Sequence, residues 1–196
     1  MWDMTDRPRR TKRSRAAHVA LMGAAAVALA ACEDDTVETS VFPDLDSCLS
    51  AAQQPNSWYT EAQCETAFAD ALVAYDEQAP RYDSQALCEE EHGGECLIEE
   101  RQGGGSVFLP LMTGFLLGNM LSRNRGIAAQ PLVNTKGGGF STPAGAVVNT
   151  NRGTGNLRDA SFRSAPSTKT AAPMTRSTVR ATGGFGSSAS SRTFGG

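Results

Sequence analysis

Four cysteines in the middle of the chain constrain its fold more than any other feature. Cys48, Cys64, Cys88 and Cys96 lie in a strongly acidic stretch, and a fifth cysteine, Cys32, precedes them. An even number of cysteines in a small exported domain is typical of disulfides, because such a domain buries little apolar surface. The spacings lack the close C-x-x-C pairs of zinc sites. We therefore predict a disulfide-stapled domain and no metal site.

A weak internal repeat favours one pairing of these cysteines. Order alone leaves all three pairings open. However, Phe42 lies six residues before Cys48, and Tyr82 lies six residues before Cys88. The next cysteine along the chain completes each unit. We therefore favour disulfides within the two units: Cys48 with Cys64 and Cys88 with Cys96.

The amino-terminal leader indicates export. Six basic residues between Arg7 and Arg15 precede an apolar run over residues 16–31. Basic, then apolar, then small residues are the order of a secretory signal. The run is shorter than the about 20 residues that a spanning helix needs. We therefore expect residues 1–31 to be a cleaved signal peptide.

The end of the leader predicts lipid attachment. It resembles the bacterial lipoprotein signal, which has an aliphatic residue and two small residues before a cysteine: Leu29, Ala30, Ala31 and Cys32. We predict cleavage between Ala31 and Cys32, and acyl chains such as palmitate on Cys32. A single acyl chain binds a protein to a membrane only marginally, whereas several acyl chains anchor it stably. The alternative is an ordinary signal peptide followed by a chance cysteine.

Charge divides the rest of the chain into two halves. Residues 33–101 contain 18 acidic residues and two arginines, a net charge of −16. Residues 102–196 contain ten basic residues and one aspartate, a net charge of +9. The first half suits cations or polyamines, and the second half suits anionic lipid or lipopolysaccharide, or could fold back on the acidic half. We assign residues 32–42 to an acidic tether.

Residues 43–101 are predicted to form a small helical head. Thr60 and Gln63 fit a capping box, and Pro80 stops the helix that begins there. Between them, apolar residues recur at the spacing of one helix face, which favours a core stripe with solvated acids opposite. A second short helix is predicted over residues 84–91.

The next segment, residues 102–122, is a glycine linker followed by the most apolar run after the leader. As a helix, residues 107–121 would reach about 22 Å, short of a bilayer core of about 30 Å. Gly114 and Gly118 form a G-x-x-x-G that favours helix contact. The run could be buried against the head or a partner, inserted shallowly in the membrane, or self-associated. Its predicted docking residues are Phe108, Leu109, Leu111, Met112, Phe115 and Leu116.

The C-terminal part has low sequence complexity. We expect residues 123–150 to be a loop or short hairpin, with a marginal β-hairpin around Pro143 and Gly145. Residues 151–196 are dominated by small and polar residues with scattered arginines, which predicts a long disordered basic tail. The expected fold is therefore mainly α, with a stapled head, a short apolar helix and this tail.

Catalysis has little support in the sequence. After the leader there is one histidine, His92, flanked by glutamates in a predicted turn where it is expected to be solvated. A site with several histidine ligands is therefore excluded, and no phosphate-binding G-x-x-x-x-G-K motif is present. We expect no enzyme activity and no cofactor. Export also argues against a nucleic-acid partner.

The order of motifs resembles one known family. The matching stretches include "CEDDTVETSVFPDLDSC", "QCETAFADAL", "APRYDSQALCEEEHGGEC", "FLPLMTGFLLG" and the tail with "GGFG". This order is similar to the YgiB family of uncharacterised bacterial proteins. The resemblance covers nearly the whole chain, and it implies a domain of unknown function without an assigned activity.

The predicted function is that of a lipid-anchored envelope protein of a Gram-negative bacterium. We expect it in the cell membrane or the outer membrane, facing the periplasm, as a structural or interaction component. Its partners would be the membrane itself through the anchor, and an envelope protein or anionic lipid. The alternative is a periplasmic binder of cations or polyamines that uses the acidic head.

Overall fold

The structure is a computed structural model that describes residues 36–101, 103–120 and 126–185. Ala31, Cys32 and the signal peptide lie outside the described residues, as do residues 186–196. The helices are α1 (Leu45–Ala52), α2 (Glu61–Gln78), α3 (Gln85–His92) and α4 (Arg176–Thr182). The strands are β1 (Thr36–Phe42), β2 (Cys96–Glu100), β3 (Ser106–Pro110), β4 (Met112–Asn119), β5 (Ile127–Asn134), β6 (Phe140–Ser141), β7 (Val147–Val148) and β8 (Gly153–Arg158). A 3-10 turn covers Asp159–Phe162.

A six-stranded antiparallel sheet organises the described residues. Its strand order is β7-β6-β5-β4-β1-β8, and β2 and β3 form a separate two-stranded sheet. β1 lies inside the larger sheet, where Val41 pairs with Leu116 of β4 and Val37 pairs with Leu157 of β8. Residues 36–42 are therefore part of the core sheet and not of a tether.

The prediction of a mainly α fold is wrong, and the apolar segment shows why. It forms β3 and β4 instead of a helix. Phe115 and Leu117 pack with α1 and α2 on one face of the sheet, whereas Leu116 and Met120 enter a second core on the other face. A strand that is buried on both faces has a continuous apolar run, which sequence periodicity does not distinguish from a buried helix.

Gly114 and Gly118, which were predicted to mediate a helix–helix contact, instead allow close packing within the sheet. A Cβ on Gly118 would lie 2.4 Å from the Phe162 ring. A Cβ on Gly114 would lie 2.6 Å from the carbonyl oxygen of Phe42. Both positions therefore require glycine because another group occupies the place of a side chain, not because two helices meet.

Disulfides hold the helices in place. Cys48 of α1 bonds Cys64 of α2, and Cys88 of α3 bonds Cys96 of β2. These are the pairs that the aromatic-to-cysteine repeat favours. α2 begins after Thr60, which forms a capping box with Gln63, and it ends at Gln78. The helices do not form a separate head, since Cys64 and Ala67 share a core with Phe115 of the sheet.

The prediction of a disordered tail is wrong for residues 151–185. β8 pairs with β1 from Arg158 to Gly153, so its order comes from backbone hydrogen bonds and from Leu157, the one buried side chain of the strand. Beyond it, Phe162 joins the sheet core, and Val179 of α4 packs on the cluster around Tyr82. Composition averages over these few apolar residues, which is why it predicts disorder. Before the tail, β6 and β7 pair as a short hairpin across the turn at Pro143 and Gly145.

Candidate functional site

A cavity of about 470 Å³ lies between the β6–β7 turn, the end of β8 and α4. Its volume falls within the range of small-ligand sites. The wall is mostly carbon, and Arg158 is the one charged residue that lines it. Apolar side chains that face the cavity come from each of the three elements: Pro143, Val147, Leu157, Met174 and Val179.

A buried tyrosine, Tyr82, lines the cavity, and a buried histidine, His92, lies behind it. The Tyr82 hydroxyl is 2.9 Å from Nε2 of His92, and Nδ1 of His92 is 2.6 Å from the carbonyl oxygen of Asn134. A carbonyl oxygen only accepts, so Nδ1–H must donate to it. Nε2 is then the acceptor, and the Tyr82 hydroxyl donates to it. This network fixes the tautomer of His92 and orients the Tyr82 ring.

The environment keeps both groups neutral. Burial lowers the pKa of His92 to about 4, although the hydrogen bond to Asn134 and the charge of Glu91 oppose that shift. Burial also raises the pKa of Tyr82, and Glu91 adds to the increase. His92 is 1% exposed, so the expectation of a solvated histidine is wrong. Both shifts favour the neutral forms of the pair near pH 7.

The C-terminal residues close one side of the cavity. The Phe185 ring lies 4.6 Å from the His92 ring, centroid to centroid. The Phe185 N–H donates to Glu91 Oε2 over 2.9 Å. A Cβ on Gly184, whose φ is +88°, would lie 2.9 Å from the same oxygen. Gly184 therefore lets the chain approach Glu91 closely enough to place Phe185 on the histidine.

Residues 159–185 form what we call the C-terminal strap, which lies over the acidic half of the chain. Lys169 Nζ is 2.6 Å from Asp76 Oδ2 and 3.4 Å from Glu77 Oε1. Arg176 is 2.7 Å from Glu90 and holds the pKa of that carboxyl below its usual value. Several acids that the sequence offers to external cations are thus paired within the chain. Among the described residues, no group of three histidine, cysteine or carboxylate side chains could hold a metal ion.

Arg81 joins the strap to the acidic half, and sequence reasoning did not single it out. Its side chain is 2% exposed and bonds Glu99 at 2.8 Å, Thr168 Oγ1 at 2.6 Å and the carbonyl oxygen of Asp76 at 2.8 Å. The sequence feature that could have identified Arg81 is its rarity as a positive charge in an acidic region. Arg81 and Arg101 are the two basic residues among 18 acids in residues 33–101.

Three of the six predicted docking residues are buried, and Phe108 and Met112 pack partly buried on core clusters. Leu109, Phe115 and Leu116 are buried, whereas Leu111 is 37% exposed. The segment is therefore buried against its own chain, which was one of the predicted alternatives. The large exposed apolar residues of the described part of the chain are Leu72, Val73, Leu97, Ile98 and Leu111.

These features define a disulfide-linked α+β protein on a curled antiparallel sheet. The chain belongs to a family of proteins of unknown function, DUF1190, whose profile matches residues 36–195. It is 33% identical over 185 residues to a UPF0441 protein of Pectobacterium carotovorum subsp. carotovorum strain PC1, covering 88% of this chain and 80% of the relative. A UPF0441 protein of Pectobacterium atrosepticum strain SCRI 1043 is 32% identical with the same coverage. The predicted YgiB-type family is confirmed, and no solved structure matches the chain.

Of the helices in residues 36–101, 103–120 and 126–185, none is both long and apolar enough to cross a bilayer.

Proposed function

We propose that this protein is an exported, lipid-anchored envelope protein that acts as a structural or interaction component. The observation that carries the proposal is the pair of disulfides, Cys48–Cys64 and Cys88–Cys96, in one small folded unit. Disulfides of this kind persist in the bacterial periplasm and are rare in the cytosol. The lipoprotein-type signal that ends at Cys32 would supply the lipid that attaches the protein to the membrane.

The folded unit favours binding over catalysis. Its one described histidine, His92, is neutral and engaged on both ring nitrogens, so it is poorly suited to act as an acid or base near pH 7. We place the protein on the periplasmic side of the cell membrane or outer membrane. An envelope protein or an anionic lipid is the proposed partner.

Intact-mass measurement of the protein extracted from membranes tests the anchor. We expect a chain that begins at Cys32 and carries acyl additions. The Cys32→Ser variant should be exported but released from the membrane. The disulfides of the same variant serve as the control. If non-reducing peptide mapping still shows both disulfides, the variant was exported and has lost only its anchor. Full membrane retention of Cys32→Ser would contradict the proposal.

A second candidate function, binding of a small apolar ligand, is favoured by the cavity beside Tyr82 and Phe185. Its carbon-rich wall and single charged residue fit a ligand with an apolar body better than a polycation. Isothermal titration with lauric acid tests this function, and spermidine in a parallel titration tests the cation-binding alternative. Ala160→Trp should fill the cavity and abolish laurate binding. Ala69→Trp, on the exposed face of α2, is the matched control and should leave binding unchanged.

A further inference from the structure

β2 (Cys96–Glu100) lies at the edge of the small sheet and pairs only with β3 among the described strands. Two large apolar residues in its middle face solvent, since Leu97 is 48% exposed and Ile98 is 61% exposed. Edge strands usually carry charges, prolines or bulges at such positions, because an apolar edge invites another strand. Leu97 and Ile98 carry none of these protections, and the charges of the strand begin only at Glu99.

The hydrogen bonds of β3 show which backbone groups of β2 are open. The Phe108 N–H donates to the Tyr82 carbonyl oxygen over 3.0 Å, and the Tyr82 N–H donates to the Phe108 carbonyl oxygen over 2.9 Å. The Phe108 backbone groups therefore point away from β2. Ile98 lies opposite Phe108. In an antiparallel ladder, hydrogen-bonded and non-bonded pairs alternate, so the N–H and C=O of Ile98 point to the open side.

The neighbouring positions follow the same alternation. Cys96 and Glu100 share the outward direction of Ile98, so three residues of β2 present backbone groups along the open edge. Cys96 lies opposite Pro110, whose carbonyl oxygen accepts from the Tyr75 hydroxyl, so Pro110 also directs its backbone away from β2. The open edge therefore offers a complete short row of donors and acceptors to an added strand.

We propose that the open edge of β2 binds the β2 edge of a second copy of this chain, antiparallel and centred on Ile98. A two-fold axis there places Ile98 opposite Ile98 of the second copy, with their outward backbone groups paired. One residue beyond each end of the strand, Glu95 then faces Arg101 of the second copy, twice by symmetry. No two glutamates are directly opposite in this register. The contact is self-complementary and closes as a dimer.

The charges and size of the edge fit this occupant. Arg101 donates through one nitrogen to the carbonyl oxygens of Lys169 and Ala171, which leaves further N–H groups of its guanidinium for Glu95. Glu99, which faces Leu97 of the second copy, is already paired with Arg81. Two five-residue strands bury less than a standard interface, so we expect a weak dimer whose population rises with concentration.

Disulfide trapping in the intact cell envelope tests the register. Ile98→Cys should give a covalent dimer on non-reducing gels, because the two positions meet at the axis. Val73→Cys is the matched control, since Val73 is 65% exposed on α2 and far from the edge in the chain. Equal trapping of both variants, or trapping of Ile98→Cys to a different protein, would overturn the proposal.

Exchanging the charges of Glu95 and Arg101 tests the proposed dimer without new cysteines. Sedimentation velocity of the detergent-extracted protein should show dimers that Glu95→Arg weakens about tenfold, because two attractive pairs become repulsive. Combining Glu95→Arg with Arg101→Glu should restore the dimer. Ile98→Lys should leave a folded monomer. A protein that stays monomeric at all concentrations, or a double variant no better than Glu95→Arg, would refute the dimer.

Discussion

The acidic half of the chain and the C-terminal strap are held in different ways. The acidic half has two disulfides, and its helices are anchored by buried residues such as Cys64 and Leu87. The strap has no disulfide in its described residues and follows the surface from Phe162 to Phe185, fixed at separate points. Those points are buried apolar side chains, backbone hydrogen bonds to Arg81 and Asp83, and ion pairs.

The difference shows that the order of a low-complexity segment such as the strap depends on the folded surface on which it packs. Met174 exchanges backbone hydrogen bonds with Arg81 and Asp83, and Val179 enters a cluster that Tyr82 and Leu87 build. Both residues pack on one cluster, and the fully buried residues of that cluster other than Val179, namely Tyr82, Leu87 and Cys88, all lie outside the strap. The strap is therefore ordered only while the acidic half is folded, and the following predictions test that dependence.

Removal of a disulfide should have the largest effect. Replacing Cys48 and Cys64 by alanine should lower the free energy of unfolding by about 3 kcal/mol, because the unfolded chain regains the entropy of a 16-residue loop. Replacing Cys88 and Cys96, which close an 8-residue loop, should cost about 2.5 kcal/mol. Urea denaturation measures both. Loss of the strap signal before the helical signal would show that the two regions unfold separately.

Overpacking at Gly118 should come next. Gly118→Ala places a methyl group against the Phe162 ring, so we expect a loss of about 2 to 3 kcal/mol in thermal or urea unfolding. The double variant Gly118→Ala/Phe162→Leu should recover part of that loss, since the smaller side chain makes room. If the two substitutions were simply additive, the strap would not lie on β4 as described.

Acid should destabilise the folded protein through His92. The pKa of His92 is about 4 in the folded protein and 6.5 for an ordinary histidine, so the folded state disfavours the proton. Its contribution to stability is complete above pH 6.5 and falls as the pH drops towards 4, by about 2 kcal/mol at pH 5. Urea denaturation across this range measures the slope. His92→Gln is the control and should flatten it, whereas an unchanged slope would assign the effect to carboxylates such as Glu91.

The ion pairs of the strap should matter least. Lys169→Ala removes contacts with Asp76 and Glu77, all of which are well exposed, so solvent already screens them. We expect a small decrease in Tm that disappears in high salt. Hydrogen exchange near Thr168 should rise slightly at low salt only. A loss as large as that of Gly118→Ala would mean that charge, not apolar contact, holds the strap.

Local signals in the sequence predicted local structure well. The capping box at Thr60 and Gln63 gave the start of α2, and Pro80 gave its end, because both act through neighbouring backbone groups. The spacing of the aromatic residues and cysteines indicated the two disulfides that are present. The turn residues Pro143 and Gly145 marked the hairpin of β6 and β7.

Long-range contacts were beyond such signals. The apolar run at residues 107–119 was equally suited to a buried helix, and pairing of β4 with β1, more than 70 residues earlier, decided for a strand. The neighbouring glutamates predicted that His92 is solvated, but Tyr82 and Asn134, which are not its neighbours in sequence, hydrogen-bond both of its ring nitrogens. The cavity wall combines β8, α4 and the turn at Pro143, which no local pattern brings together.

The sequence by itself determined the family, the helix that begins after Thr60 and the division of charge, and it favoured the cysteine pairs that are present. Each of these depends on composition or on residues close together in the chain. Only the tertiary structure decided that the apolar segment forms strands, that residues 151–185 pack on the rest of the chain and that β2 has one strand neighbour among the described residues. The physical reason is that a strand or a strap obtains its hydrogen bonds and its burial from distant residues, and so its state is set by the partner it meets.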